Sequence, residues 1–186
     1  MSESDFDEEA WRERVTEFRR EKDEFFTDHP QSPIPPEKRD AFEGLNYYDL
    51  DPDYRVTARL QWVQHSKTVS LEMTKGNAAE YERVATLGFG LDGEHHVFDA
   101  FRAEGMESLF VPFADATNGD TTYDIGRYLE LDVTEEEADT GDEVVLDFNV
   151  AYAPFCAYSE TYACPLPPEQ NHLDVRVEAG EKRLEL

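Results

Sequence analysis

The chain has 186 residues and a formal net charge of −26, because 43 acidic residues outnumber 17 lysines and arginines. This length fits one domain with a sizeable core, and no basic patch suggests a nucleic-acid-binding surface. An acidic excess with only five lysines favours a halophilic source. Concentrated salt screens the repulsion between the carboxylates, because the Debye length falls to roughly 3 Å at 1 M. The alternative is an ordinary acidic protein that binds a basic partner.

The sequence contains neither a secretory signal nor a membrane span. The first residues have no positive start and no apolar run, and no window approaches the ~18 apolar residues of a transmembrane helix. We therefore expect a cytoplasmic protein without a membrane partner, in which the two cysteines are thiols by default.

The first predicted element is one long helix over residues 7–27. Its apolar positions recur at helical spacing: Trp11, Val15, Phe18 and Phe25. Asp7 is placed to cap the start, and the helix should end before Pro30. A proline-rich connector over residues 28–53 then leads to the rest of the chain.

Residues 54–186 carry the pattern of an antiparallel β structure. Apolar and polar residues alternate over 54–62 with the period of a half-buried strand. Later strands are predicted over 144–152 and, as a last short strand, over 173–177. Seven or eight strands and one helix fit a closed or nearly closed antiparallel β-barrel, similar to a split barrel. No domain boundary is visible, so we expect a single domain over residues 1–186.

Two hairpin turns are predicted within this region. Asp92-Gly93 and Asn118-Gly119 are residue pairs that favour tight turns between antiparallel strands. The second turn is expected to join these two strands: Leu109–Phe113 and Thr121–Leu131.

Residues 149–172 form a segment that cannot be a regular strand or helix. Between Asn149 and Asn171 it holds four of the ten prolines, both cysteines and three tyrosines. Proline lacks an amide donor and fixes φ, so the segment must be an irregular loop. Such a loop is usually a structural clamp or the wall of a binding site.

Arg127 is the sharpest single signal in the predicted strands. It shares its face of the strand with Tyr123, Ile125, Leu129 and Leu131, so it should point inward. A buried guanidinium requires an anionic or polar partner. That partner is either internal, in a salt bridge or carbonyl clamp, or the carboxylate or phosphate of a ligand.

The two cysteines admit several interpretations. Cys156 and Cys164 are separated by seven residues, whereas zinc sites favour two to four, and His172 is the only histidine nearby. We therefore predict no metal site. A nucleophilic cysteine, a disulfide and two buried thiols stay open as alternatives.

Four segments together resemble the uncharacterised family called domain of unknown function 1684: residues 109–117, 122–129, 144–152 and 164–171. The resemblance spans nearly the whole chain and implies a haloarchaeal-type member of a family of small cytosolic proteins without an established activity. With Arg127, it yields these candidate ligand-binding residues: Tyr123, Asn149, Tyr152, Cys156, Tyr158, Cys164 and Asn171. The resemblance also implies four further candidate site residues: Gly126, Pro154, Pro165 and Pro167.

Three functional hypotheses follow, and none specifies a reaction. The leading one is a protein that binds a small anionic molecule in a pocket near Arg127 and residues 149–171. The second is a flavin-binding split barrel, in which Lys67, Arg83 and Arg127 would have to anchor the phosphate. The third is a non-catalytic interaction module with a purely structural loop.

Overall fold

The computed structural model describes residues 5–186 of the chain. Its first element, α1, is the helix Glu8–Asp28, which confirms the predicted helix to within one residue at each end. Oδ1 of Asp7 accepts a hydrogen bond from the amide of Ala10 at 3.0 Å, as a capping residue should. Two predictions begin at residues 1–4: the single domain over residues 1–186 and the lack of a secretory signal. These four residues lie outside the described part.

The buried face of α1 differs in part from the predicted one. Trp11, Val15 and Phe26 are buried, whereas Phe18 is 45% exposed. The cations Arg19 and Lys22 lie between these apolar residues on the same side of the helix. The buried face therefore includes two cations and leaves Phe18 at its margin. The spacing of apolar residues alone does not predict such a face.

Six strands form one antiparallel sheet: β1 (Arg55–Leu71), β2 (Ala79–Leu91), β3 (Glu94–Arg102), β4 (Leu109–Phe113), β5 (Arg127–Leu131) and β6 (Glu143–Asp147). Their order across the sheet is β5-β4-β3-β2-β1-β6. The structure also contains these short 3₁₀ turns: Pro36–Ala41, Pro52–Tyr54, Phe148–Val150, Phe155–Ala157 and Glu169–Asn171.

The sheet is an open half-barrel, so the prediction of a closed or nearly closed barrel was wrong. Its edge strands β5 and β6 are five residues each and do not pair with each other. After β6 the chain turns at Phe148–Val150, and the residues that follow this turn lie beside β5. There Tyr128 and Tyr152 exchange two backbone hydrogen bonds of 2.9 and 3.1 Å, a single bridge rather than a paired strand.

The first of the two predicted hairpins is present with its tight turn. Asp92 and Gly93 have φ angles of 53° and 77° and join β2 to β3, as a two-residue turn requires. The second is confirmed only as a strand pair: β4 and β5 pair antiparallel, but β5 begins at Arg127 instead of Thr121, so Asn118-Gly119 is not a tight turn between them. The connection from β4 is a folded loop, in which the amide of Asp115 donates to Asn118 Oδ1 at 2.7 Å. Such side-chain bonds to the backbone compete with strand pairing.

Two other predicted strands are also corrected. The strand predicted over 144–152 ends at Asp147, where the carboxylate of Asp147 accepts from the amide of Asn149 at 2.9 Å and starts the 3₁₀ turn. The segment 173–177 forms no named strand, although its apolar residues Leu173 and Val177 are buried. Its backbone is bonded to the residues after β4 at isolated points: the amide of Leu173 donates to the Ala114 carbonyl at 2.8 Å, and the amide of Ala116 donates to the Val175 carbonyl at 3.0 Å.

The main core lies on one face of the half-barrel and includes residues of every strand. Trp11 connects α1 to the sheet, since its indole Nε1 donates to Asp147 Oδ2 at 2.7 Å. A second apolar cluster around Phe26 joins the helix to the connector and to Tyr158. No helix among residues 5–186 is long and apolar enough to cross a membrane.

Candidate functional site

Arg127 is fully buried at the start of β5, and its guanidinium is directed at protein acceptors. It donates to the carbonyl oxygens of Val177, at 2.9 Å, and Ala179, and to Asp115 Oδ1 at 3.3 Å. The ring of Phe113 lies 5.4 Å from the guanidinium carbon. Burial lowers the pKa of Arg127, and the Asp115 carboxylate opposes that shift. The arginine therefore clamps the C-terminal segment to β5.

The carboxylate of Asp115 has further partners besides Arg127. Its Oδ2 accepts from the hydroxyl of Thr117 at 2.8 Å and from the amide of Val177 at 2.7 Å. A buried ion pair is favourable only when such additional hydrogen bonds complete the coordination of both charges. The pair is thus integrated into the protein interior.

Asn149 and Asn171 are also buried and hold backbone segments together. Asn149 Nδ2 donates to the Asp51 carbonyl at 2.8 Å, and its Oδ1 accepts from the Asp51 amide at 2.9 Å. Asn171 accepts from the Asp99 amide at 2.7 Å and donates to the Pro112 carbonyl at 2.8 Å. The first asparagine fixes the connector, and the second fixes the end of the loop 149–172 against β3 and β4.

A cleft of about 250 Å³ lies between the sheet and the loop 149–172. We call it the aromatic cleft, and it is lined by Tyr81, Met106, Phe110, Tyr128, Glu130, Tyr152, Pro154, Phe155 and Pro165. Tyr152, Pro154 and Pro165 among these were predicted as site residues. Pro154 and Pro165 belong to the loop that the sequence singled out.

Strand alternation explains why β4 and β5 contribute to the aromatic cleft. Leu109, Val111 and Leu129 pack in the main core, so Phe110 and Tyr128 between them face the opposite side. The same alternation that directs Arg127 inward therefore assigns Tyr128 and Glu130 to the other face. This signal was present in the sequence and could have identified these two cleft residues.

The loop is attached to the sheet on both sides of the aromatic cleft. At one side, Tyr152 pairs with Tyr128, whose hydroxyl also donates to the Pro165 carbonyl. At the other, the amide of Cys164 donates to Thr74 Oγ1 at 3.1 Å, and the Thr74 amide donates back to the Cys164 carbonyl at 2.9 Å. These bonds hold the cleft walls in place without a ligand.

Two ring pairs of the cleft stand at steep angles, whereas Tyr81 and Phe110 are nearly parallel at 28°. Phe110 and Tyr128 have centroids 4.8 Å apart with planes at 75°, and Tyr128 and Tyr152 are 5.8 Å apart at 89°. The hydroxyl of Tyr152 donates to Glu130 at 2.8 Å. Burial is the main cause that raises the pKa of Tyr128 and of Tyr152. Both phenols are therefore neutral over the physiological range.

The two cysteines lie behind the cleft wall as free thiols, Cys164 buried and Cys156 half-buried. A hydrogen bond from the Cys164 thiol lowers the pKa of Cys156 to about 6, and burial opposes that shift. The Tyr123 hydroxyl also donates to Cys156 Sγ, at 3.6 Å. Within residues 5–186, no three His, Cys, Asp or Glu side chains cluster so as to hold a metal ion.

Tyr158, the last predicted site residue, packs away from the aromatic cleft. Its ring meets Phe26 of α1 edge to face at 5.3 Å, and its buried hydroxyl has no hydrogen-bond partner among residues 5–186. The predicted site residues therefore do not converge on one pocket. Tyr81, Met106 and Phe110 escaped prediction because only the tertiary fold brings them to the loop.

Comparisons with known proteins identify relatives of this chain. Residues 40–182 match the family described as Protein of unknown function (DUF1684), and the aromatic cleft lies wholly within them. The chain is similar to an uncharacterized protein of Haloarcula marismortui, solved by solution NMR, with 51% identity and a TM-score of 0.74. The alignment covers 94% of this chain and 95% of that one. No curated protein matches the chain. As the sequence motifs predicted, the chain belongs to the DUF1684 family.

Proposed function

We propose that this protein binds a small organic molecule in the aromatic cleft. The observation that carries the proposal is the set of rings, from Tyr81, Phe110, Tyr128 and Tyr152, that line a concave surface beside a firmly attached loop. Ligand sites are typically concave and mostly apolar, with a few polar groups that orient the ligand. Here Glu130, fixed by the Tyr152 hydroxyl, supplies such a group.

The proposed site differs from the pocket around Arg127 that the sequence suggested. Arg127, Asn149 and Asn171 direct their polar groups at the backbone, so in this proposal they support the walls without touching the ligand. Four other grooves are larger, at about 280 to 690 Å³, but each is lined by at most two phenylalanine or tyrosine residues. The two of about 570 and 690 Å³ are also lined in part by residues 5–14 and 30–39, outside the span that matches the family. The number of rings therefore favours the aromatic cleft.

The three cations that would have to anchor the phosphate of a flavin do not meet at one site. Lys67 and Arg83 are cross-strand partners on β1 and β2, and Arg83 is paired with Asp99 at 2.8 Å. Arg127 lies on β5, with β3 and β4 between it and β2. Because these three cations do not converge, we do not favour the flavin hypothesis.

A non-catalytic interaction module is the second candidate function. The internal pairing of Arg127 with Asp115 and the C-terminal carbonyls favours it, since a loop that only clamps the fold needs no ligand. The two candidates differ in one respect that an experiment can measure. A binding protein must take up small molecules in the aromatic cleft, whereas a module with a structural loop does not.

A fragment screen by NMR, run in molar potassium chloride, tests the proposal. We expect small aromatic and aliphatic fragments to shift the amide signals of residues that line the aromatic cleft. Met106→Trp, which places a large ring at the cleft mouth, should abolish those shifts. Val97→Trp is the matched control, because Val97 is 37% exposed and Met106 41%, and Val97 lies outside the cleft.

Either of two results would reject the proposal in favour of the interaction module. The first is a screen in which no fragment shifts the cleft signals. The second is binding that Met106→Trp leaves as strong as in the Val97→Trp control.

A further inference from the structure

We infer that the ligand of the aromatic cleft is an organic cation with an alkylated ammonium group. The inference rests on the proposed function, because it names the class of molecule that the same cleft takes. Three features of the cleft support it: the arrangement of the rings, the charge that lines it, and its size.

The rings are arranged so that a cation can contact more than one of them. Aromatic faces carry a negative partial charge and attract a cation within ~6 Å of the ring centroid. Successive planes turn by 75° from Phe110 to Tyr128 and by 89° from Tyr128 to Tyr152. Tyr81 and Phe110 are nearly parallel, with planes at 28°, so the four rings present aromatic surfaces in more than one orientation rather than one flat surface.

The charge that lines the cleft is negative. Glu130 is the only carboxylate among the lining residues, and no lysine or arginine of residues 5–186 lines the cleft. A hydrogen bond of 2.8 Å from Tyr152 holds the Glu130 carboxylate beside the rings. An anionic ligand would meet this carboxylate without a compensating cation, whereas a cationic ligand would be attracted to it.

Tyr152 already interacts with an ammonium group of the protein itself. The Nζ atom of Lys22 lies 4.8 Å from the centroid of its ring, although Lys22 does not line the cleft. Lys22 is also paired with the buried carboxylate of Glu181 at 2.8 Å, so its charge is compensated locally. This contact is an internal example of the recognition that we infer for the ligand.

The polar groups and the size of the cleft favour an alkylated ammonium over a primary one. A primary ammonium brings three N–H donors that need acceptors, and Glu130 is the only side-chain carboxylate at hand. The cleft volume of about 250 Å³ is slightly below the ~300 Å³ at which common ligand sites begin. A compact group with apolar substituents therefore fits best.

Three probes of the same shape and different charge test the inference: choline, 3,3-dimethyl-1-butanol and 3,3-dimethylbutanoate. Their dissociation constants would be measured by NMR titration at one fixed molar concentration of potassium chloride. We expect choline to bind about tenfold more tightly than the neutral alcohol, since a cation–π contact adds to the shared apolar contact. The carboxylate should bind most weakly, because Glu130 repels it.

Glu130→Gln separates the role of charge from that of shape. It should weaken choline binding several-fold and leave the binding of the neutral alcohol unchanged. Glu143→Gln, another exposed carboxylate outside the cleft, is the matched control and should change neither.

The outcomes distinguish this inference from the proposed function. If the alcohol or the carboxylate binds the cleft as tightly as choline, the inference is wrong and the proposed function stands. If none of the probes shifts cleft signals and the fragment screen is also empty, both are wrong.

Discussion

Replacing Arg127 by methionine should destabilise the protein strongly, because it would leave a buried carboxylate without its cation. Arg127 and Asp115 both have side chains with no exposed surface. Methionine fills a similar volume but cannot donate to Asp115 or to the carbonyl oxygens of Val177 and Ala179. The substitution thus removes the charge and hydrogen bonds and leaves most of the packing.

The size of the effect can be estimated from the contacts. Removal of one partner of a buried ion pair costs about 3–5 kcal/mol of unfolding free energy. In a chain of this length each kcal/mol corresponds to roughly 2–4 °C of melting temperature, so the midpoint should fall by roughly 6–20 °C. The double variant Asp115→Asn with Arg127→Met should lose less unfolding free energy than the two single variants lose together, since no unpaired charge is left buried.

Urea denaturation at a fixed molar concentration of potassium chloride measures these differences. Arg176→Met is the matched control, because Arg176 belongs to the same C-terminal segment and forms exposed ion pairs with Asp120 and Glu178. It should show no resolvable change. If Arg127→Met stays within about 1 kcal/mol of the wild type while ligand binding is lost, Arg127 is a binding residue and the clamp interpretation is refuted.

Three further predictions concern the charge, a glycine and a thiol. The melting temperature should rise from about 0.1 M to about 2 M potassium chloride as the self-repulsion of a −26 chain is screened, and a flat or falling midpoint would reject the halophilic interpretation. Gly180→Ala should destabilise the protein far more than Gly119→Ala in urea denaturation. Both glycines have φ +80°, but a Cβ on Gly180 would lie 2.7 Å from the Phe148 carbonyl oxygen, whereas one on Gly119 meets nothing within 4 Å. Equal losses of unfolding free energy in the two variants would contradict this close approach at Gly180. Alkylation of Cys156 by iodoacetamide should have its midpoint near pH 6, because a lowered pKa keeps the reactive thiolate present at neutral pH. Tyr123→Phe should move that midpoint upward by removing a donor to the thiolate, and a wild-type midpoint at or above the ~8.5 of a free cysteine would contradict the assignment.

Several elements of this protein could be predicted from sequence because their causes are local. Asp7 begins the helix through a hydrogen bond three residues along the chain. Asp92-Gly93 makes a hairpin because both residues adopt positive φ. The alternation around Arg127 indicates a buried side chain, whichever partner it has. Each of these signals depends on neighbours that a reader of the sequence can see.

The closure of the sheet and the identity of the cleft residues were decided only by the tertiary structure. The gap between β5 and β6 depends on where the chain after Phe148 returns, and Asn171 and Thr74 attach the loop through contacts that span 72 and 90 residues. Tyr81 lies outside the four segments that resemble the family, and the apolar run Leu109–Phe113 does not distinguish Phe110 from its core neighbours. Long-range packing selects among many arrangements that local propensity permits equally, so the half-barrel and its aromatic cleft emerge only when distant segments meet.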